Sequence, residues 1–173
     1  DGIERINIEL SLRNKIALAD ALEAFFVEGN LPLGKGDEAG EVASAELLED
    51  RVQQALGLVR EVRALWRHWL DDLDAIDPLT GRSFFARLQD HSLRASWKTQ
   101  LRAPLQAIFA GSALAPIVEA CAAIHKDVLH GRVWAALHMH AGDGNVHTNI
   151  PVNSDDYEML QTAHEAVARI MAL

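Results

Sequence analysis

Cysteine is almost missing from this chain: Cys121 is the only one in 173 residues. A disulfide framework or a cysteine-rich metal cluster is therefore excluded within one copy, and so few thiols suit a reducing compartment. Cys121 lies in "EACAAIH", a helical pattern, so a small buried residue is expected there rather than a nucleophile. Positive charge is scarce too. Against 25 Asp and Glu stand 16 Lys and Arg, a formal net charge of −9. Nucleic-acid surfaces need clustered cations to displace counterions, which argues against that class and, more weakly, against an anionic membrane. No apolar run nears the roughly 20 residues of a membrane span. The first residues, "DGIERINIEL", carry neither an initiator Met nor a signal pattern. The last, "EAVARIMAL", stop without a helix-ending Gly, Asn or Pro. Both ends read as those of a piece taken from a longer protein.

Hydrophobic residues make up 49% of the chain, enough for a globular domain with a real core. Residues 3–28 form one expected helix, with Ile3, Ile6, Leu10, Ala17, Ala21 and Phe25 as its apolar stripe and Gly29 and Asn30 as its stop. "GNLPLGKGDEAGEVA", residues 29–43, is the linker candidate. Ser44 is a reasonable N-cap for a long helix over 44–73. There Leu48, Val52, Ala55, Val59, Val62, Trp66, Trp69 and Leu73 alternate steps of four and three, the seam of a long antiparallel helix pair. The tryptophans fit core packing or, alternatively, a partner surface. Residues 74–83 read as a loop and 84–92 as a short helix. Pro104 marks a kink or break within 93–110. Trp97, Leu101, Leu105 and Ile108 give that segment an apolar stripe. Arg94, Lys98 and Arg102 give it a basic one, either a solvated face or an anion-binding face. A further helix is expected over 113–129, ended by Gly131.

The texture then changes. In "RVWAALHMHAGDGNVHTNIPV", residues 132–152, two alternating segments flank a four-residue "AGDG" connection, the pattern of a β-hairpin. If 141–144 form the loop and 140 pairs with 145, then 138 lies opposite 147 and 136 opposite 149. His138, His140, Asn145, His147 and Asn149 then share one face. Val133, Ala135, Leu137, Met139, Val146, Thr148 and Ile150 take the other, which is expected to cover a helical layer. Opposed imidazoles on one face can reach a common metal, and imidazole suits Zn, Fe, Ni, Cu and, with carboxylates, Mn. Gly142 and Gly144 permit positive φ in the turn, and Asp143 suits a turn-capping role. A helix follows, with Asn153 or Ser154 as its expected N-cap.

The segment "HAGDGNVHTNI", residues 140–150, resembles the His-x-Gly-Asp-Gly-Asn-Leu-His signature of FAD-linked oxidases related to D-lactate dehydrogenase, the glycolate oxidase flavin subunit and D-2-hydroxyglutarate dehydrogenase. It departs from the signature at Val146, where the family has Leu, and at Met139, where a Gly is expected. The resemblance extends to the first helix and to residues 131–173. It implies an α+β, predominantly helical chain: part of the C-terminal cap of such an oxidase, a ferredoxin-like half with one β-hairpin. On this division residues 1–29 are a cap helix, 30–130 a helical insertion, and 131–173 the hairpin, its motif and the following helix. His140 and His147 are implied as ligands of a divalent metal, often zinc, and Asn149 as a substrate contact. Asn145 and Asp143 would lie near the cofactor. His138 is a further polar-face residue without an assigned counterpart.

The implied activity of the whole protein is oxidation of a 2-hydroxy acid by hydride transfer to FAD, followed by electron transfer to an acceptor. The flavin domain and a downstream Glu-His segment are not in this sequence, so the isolated chain is expected to be inactive. A cytoplasmic location follows, with peripheral membrane attachment through redox partners as the alternative. A homo-oligomer is expected, because exposed strand edges recruit other strands. Two other readings stay open: a helical protein-interaction module, and a stand-alone His-rich metal-binding protein.

Overall fold

A computed structural model describes residues 2–34, 45–139 and 146–173 of the chain. It is mostly helical, with two small antiparallel sheets. Helix α1 spans Gly2–Glu28 and α2 Ala45–Asp71. Two two-residue strands follow, β1 (Ile76–Asp77) and β2 (Arg82–Ser83), then α3 (Phe84–Gln89). A π-helix over Trp97–Arg102 runs into α4 (Ala103–Ile108), and α5 covers Ala115–His130. Strands β3 (Ala136–Met139) and β4 (Val146–Asn149) form the second sheet, and α6 covers Tyr157–Met171. Ser44 and residues 35–43 of the linker candidate lie outside the described residues.

The α2 seam is found as expected. Val52, Ala55, Val59, Val62, Trp66, Trp69 and Leu73 are buried, and Leu48 packs against them. Both tryptophans are therefore core. Their partner is α1, and the ion pairs fix its direction: Arg60 meets Glu23 at 2.6 Å, Arg63 meets Asp20 at 2.7 Å, and Arg5 meets Asp74 at 2.8 Å. Rising numbers on α2 pair with falling numbers on α1, so the pair is antiparallel. Arg63 also bonds Glu23. The Arg60 hydrogen bond, joined by Arg63, holds the Glu23 carboxyl below the ordinary carboxylate range.

The stripe expected on α1 needs correction. Ile6 is buried, but Ala17 is exposed, and Ile3, Leu10, Ala21 and Phe25 are only half-buried. The buried set is Ile6, Leu12, Ile16, Leu18, Ala19, Leu22 and Phe26. The reason is that α1 is covered on several sides, by α2, α3, α5 and α6, so no single stripe is selected. Gly29 does stop the helix, in the left-handed conformation at φ 73°.

Residues 74–83, expected as a loop, instead carry the small β1–β2 hairpin. Asp77 organises it. Its carboxylate accepts from the Leu79 backbone N–H at 2.9 Å and pairs with Arg87, and its carbonyl accepts from Thr80 and Gly81. Asp77 is the one buried charged residue among those described, at 6% exposure. The helix expected over 84–92 ends earlier, at Gln89, after Ser83 caps Ala86. Pro104 marks the point where the π-helix gives way to α4, a change of helix type without an interruption. It has no N–H for the Gln100 carbonyl, and Ala103 N–H instead reaches five residues back to the Lys98 carbonyl.

Cys121 is fully buried in α5, and desolvation raises its thiol to about 12, so it packs as an apolar residue. A second, smaller core joins Val133, Met159 and Ala163 with Leu10 and Ile150 beneath the β3–β4 hairpin. The N-cap of α6 is Asp156, not Asn153 or Ser154. Asp156 accepts from Met159 N–H at 2.9 Å, while Asn153 is occupied in the preceding turn, accepting from Asp155 and Asp156.

Candidate functional site

The hairpin that carries the histidines is positioned from below by α1. The Asn7 side chain accepts from Ala135 N–H at 2.8 Å and donates to Ala135 C=O at 2.9 Å. Both polar groups of a residue that is 4% exposed are thus satisfied by one amide, and the chain is held just before β3 begins. An Asn inside a helix is a weak helix former whose amide seeks other partners. "INI" at residues 6–8 carried that hint, but not the identity of the partner.

Pairing of β3 with β4 follows the expected register: Ala136 opposite Asn149, Leu137 opposite Thr148, His138 opposite His147, and Met139 opposite Val146. By alternation, His138, His147 and Asn149 share a face. All three are exposed. His140, Asp143 and Asn145 lie outside the described residues, so of the candidate site residues the structure places His138, His147 and Asn149 together.

The opposite face departs from expectation. Val133 and Ala135 are buried, but Leu137 is 49% exposed and Thr148 half-buried. Beside Leu137 the neighbours are the start of α1 and the C-terminal residue: Gly2, Ile3 and Leu173 border a cavity with it. The helical layer covers Val133 and Ala135 before the strands and leaves Leu137 half exposed.

Among the described residues, no group of three or more His, Cys, Asp or Glu is arranged to hold a metal ion. The described donors, His138 and His147, face each other in a register that brings opposed Cβ atoms to about 4.5–5.5 Å. Two imidazoles suit a divalent ion and make half of a tetrahedral shell. No family model, curated protein or solved structure matches the chain. The reading of this hairpin therefore rests on its residues and its register.

A second polar region lies among α1, the π-helix and α5, away from the hairpin. Trp97 stacks on His125 at 4.7 Å between ring centroids with 11° between planes. Burial lowers the pKa of His125, and the charges of Lys15 and Arg102 lower it further. Burial also lowers the Lys15 pKa, with help from Arg132. Neither Lys15 nor His125 stood out in the sequence, because their neighbours come from three separate helices.

His125 gives a pH prediction. Its folded pKa lies below the unfolded value of 6.5, so the unfolded chain takes up the proton first as pH falls. Its stabilising contribution is complete above pH 6.5 and is lost as pH drops through the folded pKa. NMR titration of the His125 ring should give a midpoint below that of an unfolded peptide. A midpoint at or above 6.5 would remove the burial argument.

Proposed function

We propose that the chain is part of the substrate-binding cap of an FAD-dependent oxidoreductase acting on a 2-hydroxy acid. The observation that carries this reading is the hairpin register. It sets His147 and Asn149 on one face beside His138, in a segment whose sequence resembles the signature of that oxidase family. On this reading residues 1–29 and 131–173 belong to the cap, and 30–130 are a helical insertion. His140 and His147 hold a divalent metal, zinc by the family resemblance. Asn149 donates its amide N–H groups to the substrate carboxylate. Asn145 and Asp143 lie toward the flavin, and His138 widens the polar face. When bound, the metal supplies a Lewis acid and template for the hydroxy acid, and FAD, held by a domain outside this chain, accepts the hydride.

Zinc titration and turnover test this together. His140→Ala or His147→Ala is expected to weaken zinc binding by at least about tenfold, since an inner ligand matters at least as much as the outer partners that set affinity. In the flavin-containing parent the same variants should lose most turnover while retaining FAD. Asn149→Ala should keep the metal and turn over more slowly. Full metal content and unchanged turnover in both His variants would reduce the motif to a structural hairpin.

The sheet holds only β3 and β4 among the described residues, which leaves two outer edges. We propose that strands outside this chain cover them in the parent, and that a second copy does so when the chain is alone. Light scattering should show a dimer or larger species. A monomer at high concentration counts against the edge argument.

A further inference from the structure

A cavity of about 680 Å³ opens between α1, the end of α3 and the start of the π-helix. That volume suits a small molecule. Three cations line it: Lys15 from α1, Arg94 from the connection before the π-helix, and Lys98 from the π-helix itself. Their grouping is unexpected in a chain of net charge −9. Among the described residues, none of the three has an acidic partner. Arg94 uses its Nε to bond the His91 carbonyl at 3.2 Å, which fixes the side chain without neutralising it. The one carboxylate on the wall, Glu4, is engaged by the Gln89 amide at 2.7 Å. A positive excess therefore faces the cavity, and partial burial of Lys15 makes its charge costly to leave unmatched.

The rest of the lining is not that of a simple ion site. Leu88, Leu93 and the edge of Trp97 supply apolar surface, backed by the buried Leu12, and Ser11 and Ser96 add hydroxyls. A bare inorganic anion would leave the apolar part unused. The wall also contains two unusual backbone features. His91 is the only non-glycine residue among those described with positive φ, at 64°, and the π-helix is a form found often at functional sites.

We infer that this cavity binds a small organic carboxylate with an apolar body, its carboxylate taken by Lys15, Arg94 and Lys98 and its apolar part by Leu88, Leu93 and the edge of Trp97. The site is separate from the histidine hairpin and requires neither metal nor flavin. Asn7 connects them, since it lines the cavity and holds Ala135 just before β3.

Calorimetric titration of the chain with benzoate, benzamide and inorganic phosphate tests this. Benzoate should bind saturably. Benzamide, which has the ring without the charge, and phosphate, which has the charge without the ring, should each bind at least about tenfold more weakly, roughly the worth of one lost charged or apolar contact. The double variant Arg94→Gln/Lys98→Gln should lose about tenfold or more in benzoate affinity. Both positions are exposed, so its circular dichroism should match the parent chain. Arg13→Gln, at a different cavity, should bind benzoate as the parent does. Four results would each overturn the inference: no saturable benzoate binding, benzamide as tight as benzoate, phosphate as tight as benzoate, or a double variant with parental affinity. Because neither zinc nor turnover is read, failure here leaves the hairpin proposal standing, and the reverse holds.

Discussion

Trp66→Ala should cost the fold about 3–5 kcal/mol, the range for deleting a large buried aromatic. The Trp66 side chain is fully buried at the centre of the α1–α2 core. It also has a polar tie. Its indole N–H donates to Gln100 Oε1 at 3.0 Å, and the same oxygen accepts from Ser96 N–H at 2.7 Å. One side-chain oxygen therefore joins α2 to both the N-cap residue and the middle of the π-helix. Trp66→Phe separates the two roles. It keeps most of the volume and leaves Gln100 still bonded to Ser96, so a loss of about 1 kcal/mol is expected. Urea unfolding followed by helical circular dichroism measures both. A Trp66→Ala loss under about 1 kcal/mol would mean that the seam is not the core described here.

Asp77→Ala should be the next most damaging change, at about 2–3 kcal/mol, because it leaves the half-buried Arg87 guanidinium without its charged partner. The side chains of Asp77 and Arg87 are 9% and 17% exposed, so water does little to replace the lost partner. The change also removes the acceptor for Leu79 N–H inside the turn. Asp77→Asn keeps an acceptor there and should fall between the parent and Asp77→Ala. The informative comparison is Asp77→Asn/Arg87→Met, in which neither charge remains. Removing both partners of a buried pair is often far milder than removing one. The double variant should therefore be more stable than the sum of the two single losses implies. Strict additivity in that cycle would show that the pair is not coupled.

The parts of this fold that can be read from the chain are those with one covered side. Helix α2 faces a single partner, α1, along most of its length, so Val52 through Leu73 write the seam plainly. Helix α1 is covered by several partners, so a single stripe through the exposed Ala17 and half-buried Ala21 misses Leu12, Ile16 and Leu22, which the several partners bury. The hairpin register was legible because a four-residue connection sets every opposed pair once its ends are chosen, and His138 does face His147. The exposure of Leu137 was not, because it depends on how the start of α1 and the C-terminal residue Leu173 sit against β3. Polar pairings between distant segments were invisible for the same reason. Asn7 with Ala135 is separated by 128 residues, and nothing local in either segment names the other. The basic stripe was visible as Arg94, Lys98 and Arg102, but the fold divides it. Arg94 and Lys98 turn to a cavity shared with Lys15, whereas Arg102 lines another.

The central position of α1 bears on how the chain is made. Its partners are spread over nearly the whole sequence: Asp74 for Arg5, Val128 for Asn14, Ala135 for Asn7, and Arg169 for Glu9. Translation delivers roughly 5–20 residues per second, so about ten to thirty seconds separate the emergence of Glu9 from that of Arg169. Through that interval α1 waits with part of its apolar surface uncovered, first alone, then against α2. The nascent chain should therefore be a better client for chaperones than its finished helical content suggests, and release of α1 from them should track the arrival of α5 and α6.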